Sequence, residues 1–99
     1  MQFMVLSQRR TEKYDATDFD TVVTAETDRV RTLYAEGVVR HSWHRGDVAG
    51  ACLILEVTNA EAAQAIVDSL PLGASGMAEF TVVPLQPYRG FGVVSPNSV

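Results

Sequence analysis

The chain has 99 residues, a formal net charge of -4 and near-half apolar content. That is one small domain with a single core, and neither a disordered chain nor two domains. With 12 acidic residues, seven scattered arginines and Lys13 as the one lysine, it offers no basic stripe for a nucleic-acid backbone. Cys52 stands alone, without a CxxC partner, so a reduced cytoplasmic setting is expected. The apolar start, Met1 to Leu6, lacks the basic leader and small-residue cleavage site of a signal peptide. No apolar run nears the ~20 residues that span a bilayer.

Phe3 to Ser7 reads as a first strand and Gln8 to Asp18 as a polar loop, with Thr17 or Asp18 as the expected helix cap. From Phe19 to Glu36 the period is helical: Phe19, Val22, Val23, Glu26, Val30, Leu33 and Tyr34 fall on one stripe. Gly37 stands where a left-handed residue ends a helix. Val38 to His44 alternates, which puts Val39, His41 and Trp43 on one face and Val38, Arg40, Ser42 and His44 on the other. Arg45-Gly46-Asp47 is turn chemistry, and Ala49 to Val57 returns as a mostly buried strand.

Thr58-Asn59-Ala60-Glu61 has capping-box spacing. The helix behind it should bury Ala62, Ala63, Ile66, Val67 and Leu70 and end before Pro71. A glycine-rich loop is expected over Leu72 to Met77. A last strand follows from Glu79 to Leu85, with Pro84 restricting its end to an edge or bulge.

The order β-α-β-β-α-β predicts a ferredoxin-like α+β domain over residues 1–85: a four-stranded antiparallel sheet with both helices on one face. The uncovered sheet face predicts a homodimer or higher homo-oligomer through that face. The tail, residues 86–99, carries Pro87, Tyr88, Phe91, Val93 and Val94 and is expected to pack on a neighbouring subunit.

Glu26 is the residue most out of character, a carboxylate on an apolar helical stripe. Desolvation there disfavours the charged form and raises the pKa, which suits proton transfer near neutrality. The alternative is a position at the margin of the stripe, solvated or paired with Arg29. His41 adds a group titrating near neutral pH and Trp43 a flat apolar wall; the pair could equally be packed in a core. Arg40 can grip a carboxylate with two parallel hydrogen bonds, or pair with Glu56 or Glu79. Two histidines on opposite strand faces plus one cysteine make no metal site. No phosphate loop or nucleophile elbow is present, and mid-strand Cys52 reads as an inert thiol. Cofactor-free proton transfer, or binding without chemistry, is what remains.

Ala35-Glu36-Gly37-Val38-Val39-Arg40-His41-Ser42-Trp43 resembles the helix-end-to-strand signature of the muconolactone Δ-isomerase family: EG, two residues, RH, one residue, W. The similarity continues through Val57, Glu61-Ala62 and Leu70-Pro71-Leu72, and also covers Met1 to Val5. It implies a ferredoxin-like fold, dimers that assemble further, no cofactor or metal, and a small-molecule substrate. The implied reaction moves a proton and a double bond in a lactone or related carbonyl compound of aromatic catabolism. By this resemblance Glu26 is the base, Arg40, His41 and Trp43 occupy motif positions, and His41 or Arg40 would stabilise an enolate while Trp43 walls the substrate. Departures are Gly73-Ala74-Ser75-Gly76 where the family is bulky and aromatic, Val39 where tryptophan is common, and Thr27-Asp28-Arg29 in place of a lysine-bearing stretch. A smaller wall points to a different or larger substrate. The same scaffold also resembles cyclases, dehydratases and cofactor-free monooxygenases of aromatic or polyketide intermediates. A non-catalytic ligand-binding or assembly module is the reading from another class.

Overall fold

A computed structural model describes residues 1–91, in the order β1 (Gln2–Arg9), α1 (Ala16–Ala35), β2 (Val39–His44), β3 (Ala51–Glu56), α2 (Ala60–Ser69), α3 (Pro71–Ala74) and β4 (Ala78–Leu85). The strands form one antiparallel sheet in the order β2-β3-β1-β4. This is the expected ferredoxin-like arrangement, with β4 and its Pro84 at an edge, where a missing amide donor is tolerated.

Alternation along β1 and β3 decides the layers. Phe3, Val5 and Ser7 are buried on one side of β1, facing the same side as Leu53 and Leu55 of β3. Leu33 of α1 and Ala63, Val67 and Leu70 at α2 close over them in a single core. Phe19, Leu72, Met77 and Ala78 make a second, smaller cluster at the other end of α1. Apolar burial on this scale is the main stabilising contribution in a domain of this size.

The helix ends refine two expectations. The cap of α1 is Asp15, not Thr17 or Asp18: its Oδ1 accepts from the Asp18 amide at 3.0 Å, and Asp18 Oδ2 accepts from the Asp15 amide at 3.0 Å. This reciprocal box uses two amides that the helix itself leaves unpaired. Asp15→Ala is expected to cost about 1 kcal/mol, read as a lower denaturation midpoint at unchanged slope. For α2 the cap is Asn59, whose Oδ1 accepts from the Ala62 amide at 2.8 Å, rather than Thr58. Gly37 takes φ +80°, the left-handed stop expected of it.

Two further departures shape the site. The glycine-rich stretch after Leu70 begins as a short helix, because Pro71 at its first position lacks an amide that would go unpaired anyway. Strand β2 contains a bulge. Val39 pairs with Leu55 and His41 with Ile54, so Arg40 has no partner in the register and the alternation shifts by one. Of the tail, residues 86–91 are described, including an exposed Tyr88 and a 3-10 turn over Arg89–Phe91. The part expected to reach a neighbour through Val93 and Val94 lies outside the described residues.

Candidate active site

Between α1 and the sheet lies a cleft of about 420 Å³, within the range of small-molecule sites. Val23 and Val30 of α1, Val5 and Leu53 of the sheet, and Leu70 and Leu72 beyond α2 supply its apolar wall. The helical stripe recognised from the sequence therefore does face the sheet, and it carries Glu26 into the cleft.

Glu26 is half-buried, and its Oε1 accepts from the Leu72 amide at 2.9 Å. Burial pushes its pKa above the ordinary 4.5, opposed by the Leu72 hydrogen bond and by the positive field of Arg9. The amide fixes the carboxylate's aim, and the net upward shift leaves it a stronger base than a solvated glutamate. The turn that supplies this donor is the short helix read from sequence as a loop. The alternative pairing of Glu26 with Arg29 is not made, since Arg29 Nε and Nη2 donate to Ser69 Oγ, each at 3.3 Å.

The bulge redistributes β2. Because the phase changes at Arg40, Val39, Ser42 and His44 all line the cleft, while His41 and Trp43 project from the opposite side of the sheet. There the two rings stack, with centroids 5.3 Å apart and planes 12° from parallel. The expected grouping of Val39 with His41 and Trp43 is thus corrected. Within one chain Glu26 does not share a cavity with His41 or Trp43, and Arg40 is exposed at the bulge outside the cleft lining. The polar groups that do face Glu26's cleft are Ser7 and Arg9 of β1, Ser42 and His44 of β2, and Thr27, Arg31 and Tyr34 of α1.

Strict alternation over Val38 to His44 concealed this, because a bulge leaves no compositional mark when the inserted residue is itself polar. Arg9 had a readable signal: it continues the parity of Phe3, Val5 and Ser7, two residues beyond the expected strand end. The hairpin that presents His44 is braced by Arg45. Its Nε and Nη2 donate to Asp47 at 2.9 and 2.7 Å, and its Nη1 donates to the Ser7 carbonyl at 3.3 Å. The guanidinium holds the Asp47 carboxyl down to about 2. Among the described residues no group of three or more His, Cys, Asp or Glu is gathered as metal ligands would be.

The family model for muconolactone delta-isomerase matches residues 1–90. The chain belongs to that family. Two solved structures carry the same fold. Muconolactone isomerase superposes with a TM-score of 0.77 at 20% identity, covering 96% of this chain and 98% of that one. The 5-chloro-2-hydroxyhydroquinone dehydrochlorinase of Burkholderia phenoliruptrix AC1100, in complex with 2,5-dihydroxybenzoquinone, superposes with a TM-score of 0.70 at 16% identity, covering 91% and 98%. No curated protein matches the chain. The family's RHxW stretch here lies astride the bulge, so Arg40, His41 and Trp43 are delivered to the edge and outer face of the sheet. Among the described residues no helix is long and apolar enough to cross a membrane.

Proposed function

We propose that this member of the muconolactone delta-isomerase family is a cytoplasmic, cofactor-independent isomerase. It would shift a proton and a double bond in a small lactone or related carbonyl compound of aromatic catabolism. The observation that carries this reading is the half-buried Glu26 carboxylate, aimed by the Leu72 amide into an otherwise largely apolar cleft. Glu26 takes a proton from the carbon beside the carbonyl, and the C–H electron pair moves to form an enolate. Return of the proton from Glu26 to a carbon further along the conjugated system completes the shift, so nothing is oxidised or reduced. Donors aimed at the oxygen that gains charge are usually the largest catalytic contribution in such reactions. His44 and Ser42, both lining the cleft, take that role in place of His41 or Arg40 from the same chain. The decisive experiment incubates the protein with lactones and ring-cleavage intermediates in deuterated water. Label at carbon in recovered compound supports Glu26-mediated proton transfer; tight binding without label would identify a non-catalytic module.

The outer sheet face gives His41 and Trp43 a second route to a function. Met4, Leu6, Ile54 and Val83 are only half-buried there and Trp43 is 53% exposed. We propose that a second copy covers this face in a homodimer, with the tail of residues 86–99 packing on its neighbour. His41 and Trp43 then belong to the interface, and could reach only a partner's site. Ile54→Glu, which buries a charge in that interface, is expected to give monomers by light scattering while the far-UV spectrum stays unchanged. A dimer of unaltered strength would place the contact elsewhere.

A further inference from the structure

Arg9 is a guanidinium on the inner side of the sheet, seated on an aromatic ring; among the described residues it makes no ion pair, though Glu26 feels its charge. It lies opposite Ala78 in the register and lines the same cleft as Glu26. Its guanidinium carbon sits 5.2 Å from the centroid of the Phe19 ring, and that ring is met edge-on by Tyr14 at 6.1 Å. A cation–π contact with an aromatic face locates the guanidinium without using its five N–H donors. Near this end of the fold Arg10 is engaged with Glu79 at 3.0 Å and Arg45 with Asp47 at 2.7 Å; Arg31, further along α1, is exposed and stands 3.9 Å from Asp28. Among the described residues Glu26 is the one carboxylate lining the cleft.

We propose that Arg9 is the specificity-determining residue of the cleft, receiving a planar oxyanion of the substrate, either a carboxylate or a ring oxide. This assignment rests on the cleft being the substrate site, as in the proposed function, but not on Glu26 being a base. A planar oxyanion matches a guanidinium fork through two parallel charge-assisted hydrogen bonds, which a neutral isostere cannot reproduce. Phe19 is buried beneath the fork and does not line the cleft, so the ring seats Arg9 while the ligand meets the guanidinium itself. Glu26, on the facing helix, disfavours a second negative charge nearby. A ligand with one anionic end and one neutral carbonyl end fits the pattern best.

The test is equilibrium binding followed by amide chemical shifts, with benzoate against benzamide for the carboxylate and 4-nitrophenolate against 4-nitroanisole for the ring oxide. The native protein should prefer at least one of the anions over its neutral counterpart by about tenfold or more. Arg9→Met, which keeps an unbranched stem on Phe19, should abolish that preference, and Arg9→Lys should keep part of it as a point charge. Arg31→Met, which removes the cleft's other arginine, should leave it within about twofold. No anion preference in the native protein, or one that survives Arg9→Met, would overturn the assignment. A variant whose only change is a displaced acid limb of the pH–rate profile would show that Arg9 acts through Glu26 alone, and would overturn it equally. Because binding is read without turnover, loss of anion preference in Arg9→Met alongside absent solvent label would uphold Arg9 and reject the isomerase.

Discussion

Glu26→Gln is expected to lower turnover by about 10²- to 10⁴-fold, the contribution of a positioned general base, without lowering stability at neutral pH. The amide oxygen of glutamine can still accept from Leu72, so the geometry at α3 should persist. The stability expectation follows from linkage. In the folded chain the Glu26 pKa is raised, chiefly by burial. Between the ordinary carboxylate value and the raised one, the folded state holds a proton that the unfolded chain has released. Rising pH through that window therefore erodes folding stability, and the deficit is complete above the folded pKa. Glutamine carries no charge and escapes it. Melting temperatures of variant and native protein should consequently differ least in acid, with the variant gaining relative to the native chain as pH rises toward 7. If Glu26 is the base, the same titration is expected to set the acid limb of kcat/KM for the native protein, with activity falling as Glu26 becomes protonated at a pH above 4.5. Full turnover by Glu26→Gln would move the base elsewhere in the cleft.

Gly50→Ala is expected to cause the largest loss of stability. A Cβ at this position would stand 1.9 Å from the Ser7 carbonyl oxygen and 2.8 Å from its carbon. Those are backbone atoms of β1, so no side-chain rotation relieves the overlap. The crossing is tied tightly around the same spot. The Ala51 amide donates to Ser7 Oγ at 2.9 Å and the Arg9 amide to the Ala49 carbonyl at 2.8 Å. Separating the chains enough to admit a methyl group would strain or break these bonds. A cost on the order of 3 kcal/mol, at the upper end of over-packing, corresponds to a fall in Tm of roughly 10–20 °C for a domain of this length. Gly46→Ala is the control: nothing lies within 4 Å of its Cβ position, so a change within about 0.5 kcal/mol is expected. Equal effects of the two substitutions in thermal melts would refute the close-approach explanation.

The fold was readable because its signals are periodic and local. The spacing from Phe19 to Tyr34 could bury only one stripe, and Gly37 could stop the helix without strain. Glu26 was readable by contrast, since a carboxylate interrupts an otherwise apolar series. What escaped was phase. Whether His41 or His44 faces the helices depends on a pairing between β2 and β3, and hydrogen-bond register across strands leaves little trace in either strand alone. Arg9 escaped through a boundary: the polar residues after Ser7 looked like a loop, whereas pairing with β4 continues the strand as far as Arg9. The donor to Glu26 escaped because a backbone amide has no letter in the sequence, and the segment that presents it looked too rich in glycine for a helix.

The extra residue at Arg40 gives β2 a property that no list of its side chains conveys. Were Arg40 paired with Ile54 and the bulge absent, strict alternation would turn His41 and Trp43 inward and Ser42 and His44 outward without changing the chemistry of any of them. The bulge thus sets the lining of the cleft and the composition of the outer face together. In this scaffold the presence or absence of one bulge can change specificity and assembly in the same step, which point substitutions achieve only one residue at a time.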